Sequence, residues 1–212
     1  MYAPLLHTPW NGITPTDLIF PFFIFIVGVS IALAYTKRVE AGLPKKEMVQ
    51  KILWRSVKIF GMGVLLAMYS RVNSTTEGWA HTFWWLLVLV LMGIFVMPEI
   101  SSRHKWVNLA GKMVPYLAVV TLVVLLLFRF TDLRIVGVLQ RIALVFLACS
   151  LLFLTTRWKT QAIIGALLLF FYWIIMMFVP TPGQGQVMLE PGVNFAAWID
   201  TYLTPGRLYR DT

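Results

Sequence analysis

The residue types that can do chemistry cluster near the start of the chain. His7, Trp10, Asn11 and Gly12 form a short polar loop, and Asp17 follows at the head of a long apolar run, HTPWNGITPTDLIFPFFIFIVG. An imidazole titrates near neutrality, so His7 can act as acid, base or acyl acceptor. A carboxylate at the edge of hydrocarbon is costly to keep there and raises a functional-site hypothesis. Asp17 also has a plain reading. Thr14-Pro15-Thr16-Asp17 is written as a helix start, with Thr14 as N-cap, Pro15 at the first helical position and Asp17 at the third. Pro21, four residues on, has no N–H and would leave the Asp17 carbonyl without its helical donor.

A second set lies in LRIVGVLQR, which holds Arg134, Gly137, Gln140 and Arg141. On a helix Arg141 would sit two turns below Arg134, roughly 10 Å deeper. An arginine facing lipid is expensive, so Arg141 is expected to turn inward and find an anion or carbonyls. Two readings fit equally: a structural arginine–carboxylate pair, or Arg141 and Gln140 holding an anionic or carbonyl-bearing substrate. His81 and His104 stand in other loops without such neighbours and read as solvated. No cysteine metal site or disulfide framework can form around the single Cys149.

The elements that must position these residues are membrane spans. Of 212 residues 59% are hydrophobic and 13% charged, well away from the about 25% charge of soluble domains. A helix needs about 20 apolar residues to cross the hydrocarbon. Six segments approach that length: Thr16–Tyr35, Ile52–Ser70, Thr82–Met97, Met113–Phe128, Ile135–Leu154 and Ala162–Val179. They are apolar all round, unlike the alternating strands of a β-barrel. The expected fold is therefore an all-α integral membrane bundle of about six transmembrane helices, forming one domain over 1–212. No cleavable signal peptide is visible at the start.

Lys37, Arg38, Lys45, Lys46, Lys51, Arg55, Lys58, Arg103, Lys105, Lys112, Arg157 and Lys159 fall on one side if six helices alternate. That side is cytoplasmic by the positive-inside rule, which places the N-terminal segment and the tail outward. The net charge of +9 is thus explained by the anionic inner leaflet rather than by nucleic acid. In the tail, Phe195, Trp198, Ile199 and Tyr202 follow helical spacing, giving a short amphipathic helix capped by Asn194.

Three blocks resemble one family in the right order. LLHTPWNGITPTDLIFPFFIFIVGVSIAL resembles the hallmark segment of the transmembrane heparan-alpha-glucosaminide N-acetyltransferase family. LRIVGVLQRIALVF resembles its second block, and VPTPGQGQVMLEPGVNFAAWIDTYLTPGRLY the outward loop of bacterial members. The resemblance implies a membrane acetyltransferase that takes acetyl-CoA on the cytosolic side and delivers acetyl to an amino sugar or envelope glycan outside, in a bacterial cytoplasmic membrane. It implies His7 as the catalytic histidine, as covalent carrier or general base. Trp10, Asn11, Gly12 and Asp17 match the first block, Arg134, Gly137, Gln140 and Arg141 the second, and Asp200 the third. Family members carry an asparagine in a preceding helix and a D-P-E-G block further on, and the helices between Thr82 and Phe128 resemble an insertion. The resemblance thus implies an internal portion of a larger enzyme, either self-associating or completed by a separate remainder.

A transporter-like bundle for an anionic solute is the alternative, with Arg141 and the Asp17 carbonyl as binding groups. Broken helix pairs and an internal repeat, the marks of that class, are missing from the sequence.

Overall fold

A computed structural model describes residues 6–8, 12–75, 78–96, 105–129 and 137–203. Among them are seven helices and no strand: α1 Ile19–Glu40, α2 Lys45–Thr75, α3 Gly78–Val96, α4 Lys105–Phe128, α5 Val138–Thr155, α6 Trp158–Phe178 and α7 Phe195–Leu203. Five of them, α1, α2, α3, α5 and α6, are long and apolar enough to cross a membrane. In α4 the apolar stretch Met113–Phe128 is shorter. The all-α membrane class expected from composition is what the chain adopts.

Helix ends differ from the expected spans for local reasons. Hydropathy does not register charged helical ends, and α2 begins at Lys45 rather than Ile52. Pro44 starts it, with the Glu47 and Met48 N–H groups donating to its carbonyl, and Glu47 places an anion in the first turn. The end of α1 overruns Tyr35 to Glu40 and stops at a glycine. Gly42 takes φ +69°, while its N–H donates to the Val39 carbonyl and the Leu43 N–H to that of Arg38. This is a Schellman closure, which needs a left-handed residue at that place. Pro115 lies inside α4, removing one ladder donor.

The residues group into two compact units, Met1–Val49 with Ala148–Thr212, and Gln50–Leu147. The second unit has the apolar core, formed by Val64, Leu65, Met68 and Val72 of α2, Val88, Leu91 and Phe95 of α3, and Ala118 and Leu122 of α4. Glycines set the closest approaches there. A Cβ on Gly61 would stand 2.3 Å from the Phe95 ring, and one on Gly63 would stand 2.7 Å from Gln140 Oε1. In the first unit α7 packs against α6, and no α6 residue is buried, as expected of a helix whose apolar surface faces lipid.

Candidate active site

The loop before α1 is organised around one carboxylate. Asp17 Oδ1 accepts a hydrogen bond from His7 Nδ1 at 2.6 Å. Asp17 Oδ2 accepts from the Thr14 backbone N–H at 2.9 Å and from Thr14 Oγ1 at 2.8 Å. Thr8 Oγ1 lies 3.3 Å from that oxygen and 3.3 Å from the Gly12 carbonyl, and its single proton serves one of them at a time. One oxygen of the carboxylate is therefore devoted to the imidazole while the other is tied to the turn. These hydrogen bonds, that from His7 foremost and then those from Thr14, hold the Asp17 carboxyl well below the usual carboxylate range. Ionised Asp17 is an acceptor only, so the shared proton sits on Nδ1 when His7 is neutral. Nε2 is then left with its lone pair, on a side chain 72% exposed.

The same bonds explain why α1 starts late. Thr14 is not an N-cap. Its hydroxyl donates to Asp17 instead of accepting from the helix, and 15–18 form a tight turn, with the Asp17 N–H on the Thr14 carbonyl, Leu18 on Pro15 and Ile19 on Thr16. Half of a capping box survives, in which the acid reaches back to the Thr14 N–H. With Leu18 as N-cap, Pro21 falls in the first turn, where N–H groups have no helical acceptor anyway. Pro21, four residues after Asp17, supplies no N–H to its carbonyl, and the first bond of the ladder is that of the Phe22 N–H on the Leu18 carbonyl. Gly12 takes φ +120°, a region that disfavours L side chains, and a Cβ there would meet Thr8 Cγ2 at 3.1 Å.

The other expected site residues divide. Trp10, Asn11 and Arg134 lie outside the described residues, as does His104. Gln140 is buried, its Oε1 against Gly63 and Gly137 and its Nε2 without a hydrogen-bond partner. Arg141 corrects the sequence reading: it is exposed. At 100° per residue it falls roughly opposite the buried face of α5 made by Gln140, Ala143 and Phe146. It also lies only one turn inside α5, which starts at Val138, so its guanidinium can reach the membrane surface along its own stem. Arg141 and Gln140 belong to the second unit, His7 and Asp17 to the first.

Asp200 is exposed on α7, and Asn194 caps that helix as expected, accepting from the Ala197 N–H at 2.9 Å. His81 is not merely solvated, since its Nε2 lies 3.1 Å from Asn73 Oδ1. Among the described residues no cluster of three or more metal-ligating side chains occurs. Sequence reasoning missed Thr8 and the true role of Thr14, although both are short hydroxyl residues within reach of a lone acid.

The fold defines an all-α protein with several helices able to cross a membrane. The chain belongs to the family described as Domain of unknown function (DUF5009), which matches residues 5–202. It is 43% identical over 60 residues to the heparan-alpha-glucosaminide N-acetyltransferase of Mus musculus, and 42% identical over 60 residues to that of Homo sapiens. Each match covers 28% of this chain and 9% of the relative's length. No solved structure matches.

Proposed function

We propose that this chain carries the histidine of a membrane-bound acetyltransferase, which moves acetyl from acetyl-CoA on the cytosolic side to an amine of an amino sugar or envelope glycan on the other. The carrying observation is the 2.6 Å contact between His7 Nδ1 and Asp17 Oδ1. A carboxylate on Nδ1 fixes the tautomer, leaves Nε2 as the reactive nitrogen and stabilises the positive charge the ring acquires. Similarity to the two N-acetyltransferases supports the reaction class. A bacterial cytoplasmic membrane with the His7 loop facing outward belongs to the same proposal.

Both routes open to such a histidine use that lone pair. In the covalent route Nε2 attacks the acetyl carbon, the C–S bond breaks and coenzyme A leaves as a thiolate that takes a proton from water. The acceptor amine then attacks the acetyl-imidazolium, the C–Nε2 bond breaks, and the amine proton passes to solvent. In the direct route Nε2 takes the proton of the amine while the amine attacks the thioester, the C–S bond breaks, and coenzyme A leaves as a thiolate to which the proton on Nε2 then passes. A burst of one equivalent of free coenzyme A without acceptor marks the first route, and its absence the second.

The test is His7→Ala in the full-length protein, assayed with radiolabelled acetyl-CoA and membrane amines. Transfer is expected to fall about 10²–10⁴-fold with membrane insertion unchanged. A mutant transferring at the wild-type rate overturns the assignment. Solute uptake by the wild type without acetylation would favour transport.

A further inference from the structure

The second unit carries a row of cations that topology alone does not explain. Lys51, Arg55 and Lys58 follow i, i+4, i+7 spacing on α2, so they share an arc of about 60° and a length of roughly 10 Å. Among the described residues none of the three forms an ion pair. Two are held on aromatic rings: the Arg55 guanidinium lies 5.1 Å from the Phe146 centroid, and Lys58 Nζ 5.7 Å from that of Trp54. Trp54 in turn packs on Tyr116 of α4, with centroids 4.9 Å apart, and Tyr116 is 63% exposed. Positive-inside lysines need only be solvated. These are aligned, partly pre-oriented and set beside a largely exposed aromatic ring.

We propose that Lys51, Arg55 and Lys58 of α2 hold the phosphates of a soluble nucleotide polyanion whose base stacks on Tyr116. Three cations spaced along a spanning helix lie at different depths, whereas lipid headgroups share one depth. A ladder of positive charge along the membrane normal therefore suits a molecule with several phosphates threading toward the bilayer. Arginine and lysine neutralise phosphate oxygens by charge-assisted hydrogen bonds, and an aromatic face accepts a base by stacking. Coenzyme A, with a diphosphate and a further phosphate on its adenosine, has this chemistry; as its identification the inference rests on the acetyl-transfer reading. It gives that donor a binding surface on α2 and α4.

The experiment uses the full chain in nanodiscs of phosphatidylcholine, with radiolabelled coenzyme A as probe in equilibrium dialysis. The variant K51Q/R55Q/K58Q is expected to weaken binding by about tenfold per cation removed, while K51R/K58R binds within a few-fold of wild type. Tyr116→Leu should weaken coenzyme A but leave competition by inorganic diphosphate unchanged. Undiminished binding by the triple glutamine variant overturns the site. So does wild-type protein that retains phosphatidylglycerol through these residues, by native mass spectrometry, but binds no coenzyme A. Binding lost in the triple variant of a wild type that transfers no acetyl upholds the site and refutes the transferase reading. Transfer with an unchanged KM for acetyl-CoA in that variant refutes the site alone.

Discussion

At the scale of single residues, Thr14 decides how Asp17 meets His7. Two of its donors hold Oδ2, which leaves Oδ1 aimed at the imidazole. Thr14→Val keeps the shape and the backbone N–H but removes the hydroxyl. The carboxylate should then turn more freely, and the neutral ring should drift from the Nδ1–H tautomer toward the Nε2–H form that free imidazole side chains prefer. Nitrogen-15 NMR of labelled His7 reads this directly, with Thr14→Ser expected to restore the wild-type pattern. Acetyl transfer in the Val variant should fall about 10–100-fold, the usual effect of losing a partner that orients a functional group. An unshifted tautomer in Thr14→Val would reduce the threonine to a turn former.

The acidity of Asp17 gives a pH prediction at the same scale. Its carboxyl titrates below the ordinary value of 3.8 in the folded loop, so folding favours the ionised form. The resulting stabilisation is fully present above the unfolded value and is lost as pH falls through the folded one. The Thr14 amide held by Asp17 Oδ2 should therefore keep its hydrogen-bonded NMR signature down to about pH 5 and lose it only in stronger acid. Asp17→Asn should abolish that acid transition. Loss of this amide's signature already at pH 5 would show that the carboxylate is not held this way.

At the scale of elements, the existence of each helix was legible and its ends were not. Hydropathy finds the apolar centre of a helix, but a helix stops where its backbone bonds are satisfied. The signals that set those ends were present as residue types: Pro44 and Glu47 for α2, Gly42 for α1, Asn194 for α7. Asn194 caps as its place in the sequence predicts, its oxygen free to accept from the Ala197 N–H while its Nδ2 donates to the Glu190 carbonyl. Thr14 fails as a cap because its hydroxyl donates to the Asp17 carboxylate instead of accepting a helical N–H. The pair His7–Asp17 was legible as two candidates but not as a contact, since a ten-residue separation fixes no geometry without the Gly12 bend. Arg141 escapes the cost of facing lipid because α5 starts only one turn before it, a boundary that hydropathy does not mark.

The packing of α2 against its neighbours gives the sharpest element-scale prediction. Gly63→Ala would set a methyl 2.7 Å from Gln140 Oε1 and 2.9 Å from Leu139 Cβ. Leu139 lies on the packed side of α5, so the contact cannot be relieved by one rotamer. Overpacking of this kind costs about 1–3 kcal/mol. Gly28→Ala on α1 meets nothing within 4 Å and should leave thermal stability in detergent unchanged or slightly raised, since alanine is the better helix former. Losing the cap in Asn194→Ala should cost about 1 kcal/mol, confined to α7 and visible as faster amide exchange there. Equal melting shifts for the two glycine variants would contradict the close approach at Gly63.

At the scale of the whole molecule, sidedness turns on α4. Its 24 residues make a helix of roughly 36 Å, enough for a bilayer, yet its apolar stretch is the shortest and contains Pro115. If α4 crosses, Lys45 and Lys159 face the same compartment, and the twelve basic residues gather there as the positive-inside rule requires. If α4 lies along the surface, α5 and α6 invert, and Lys159 faces outward with Arg157. Single-cysteine variants of a Cys149→Ala background settle this with a membrane-impermeant maleimide on intact cells. Lys45→Cys and Lys159→Cys are expected to be protected, and Trp79→Cys and Gln184→Cys labelled. Since α6 separates Lys159 from Gln184, that pair serves as its own control. Labelling at Lys159 with protection at Gln184 would mean that α4 does not span, and would turn the α7 tail away from the compartment to which the proposed acetyl acceptor belongs.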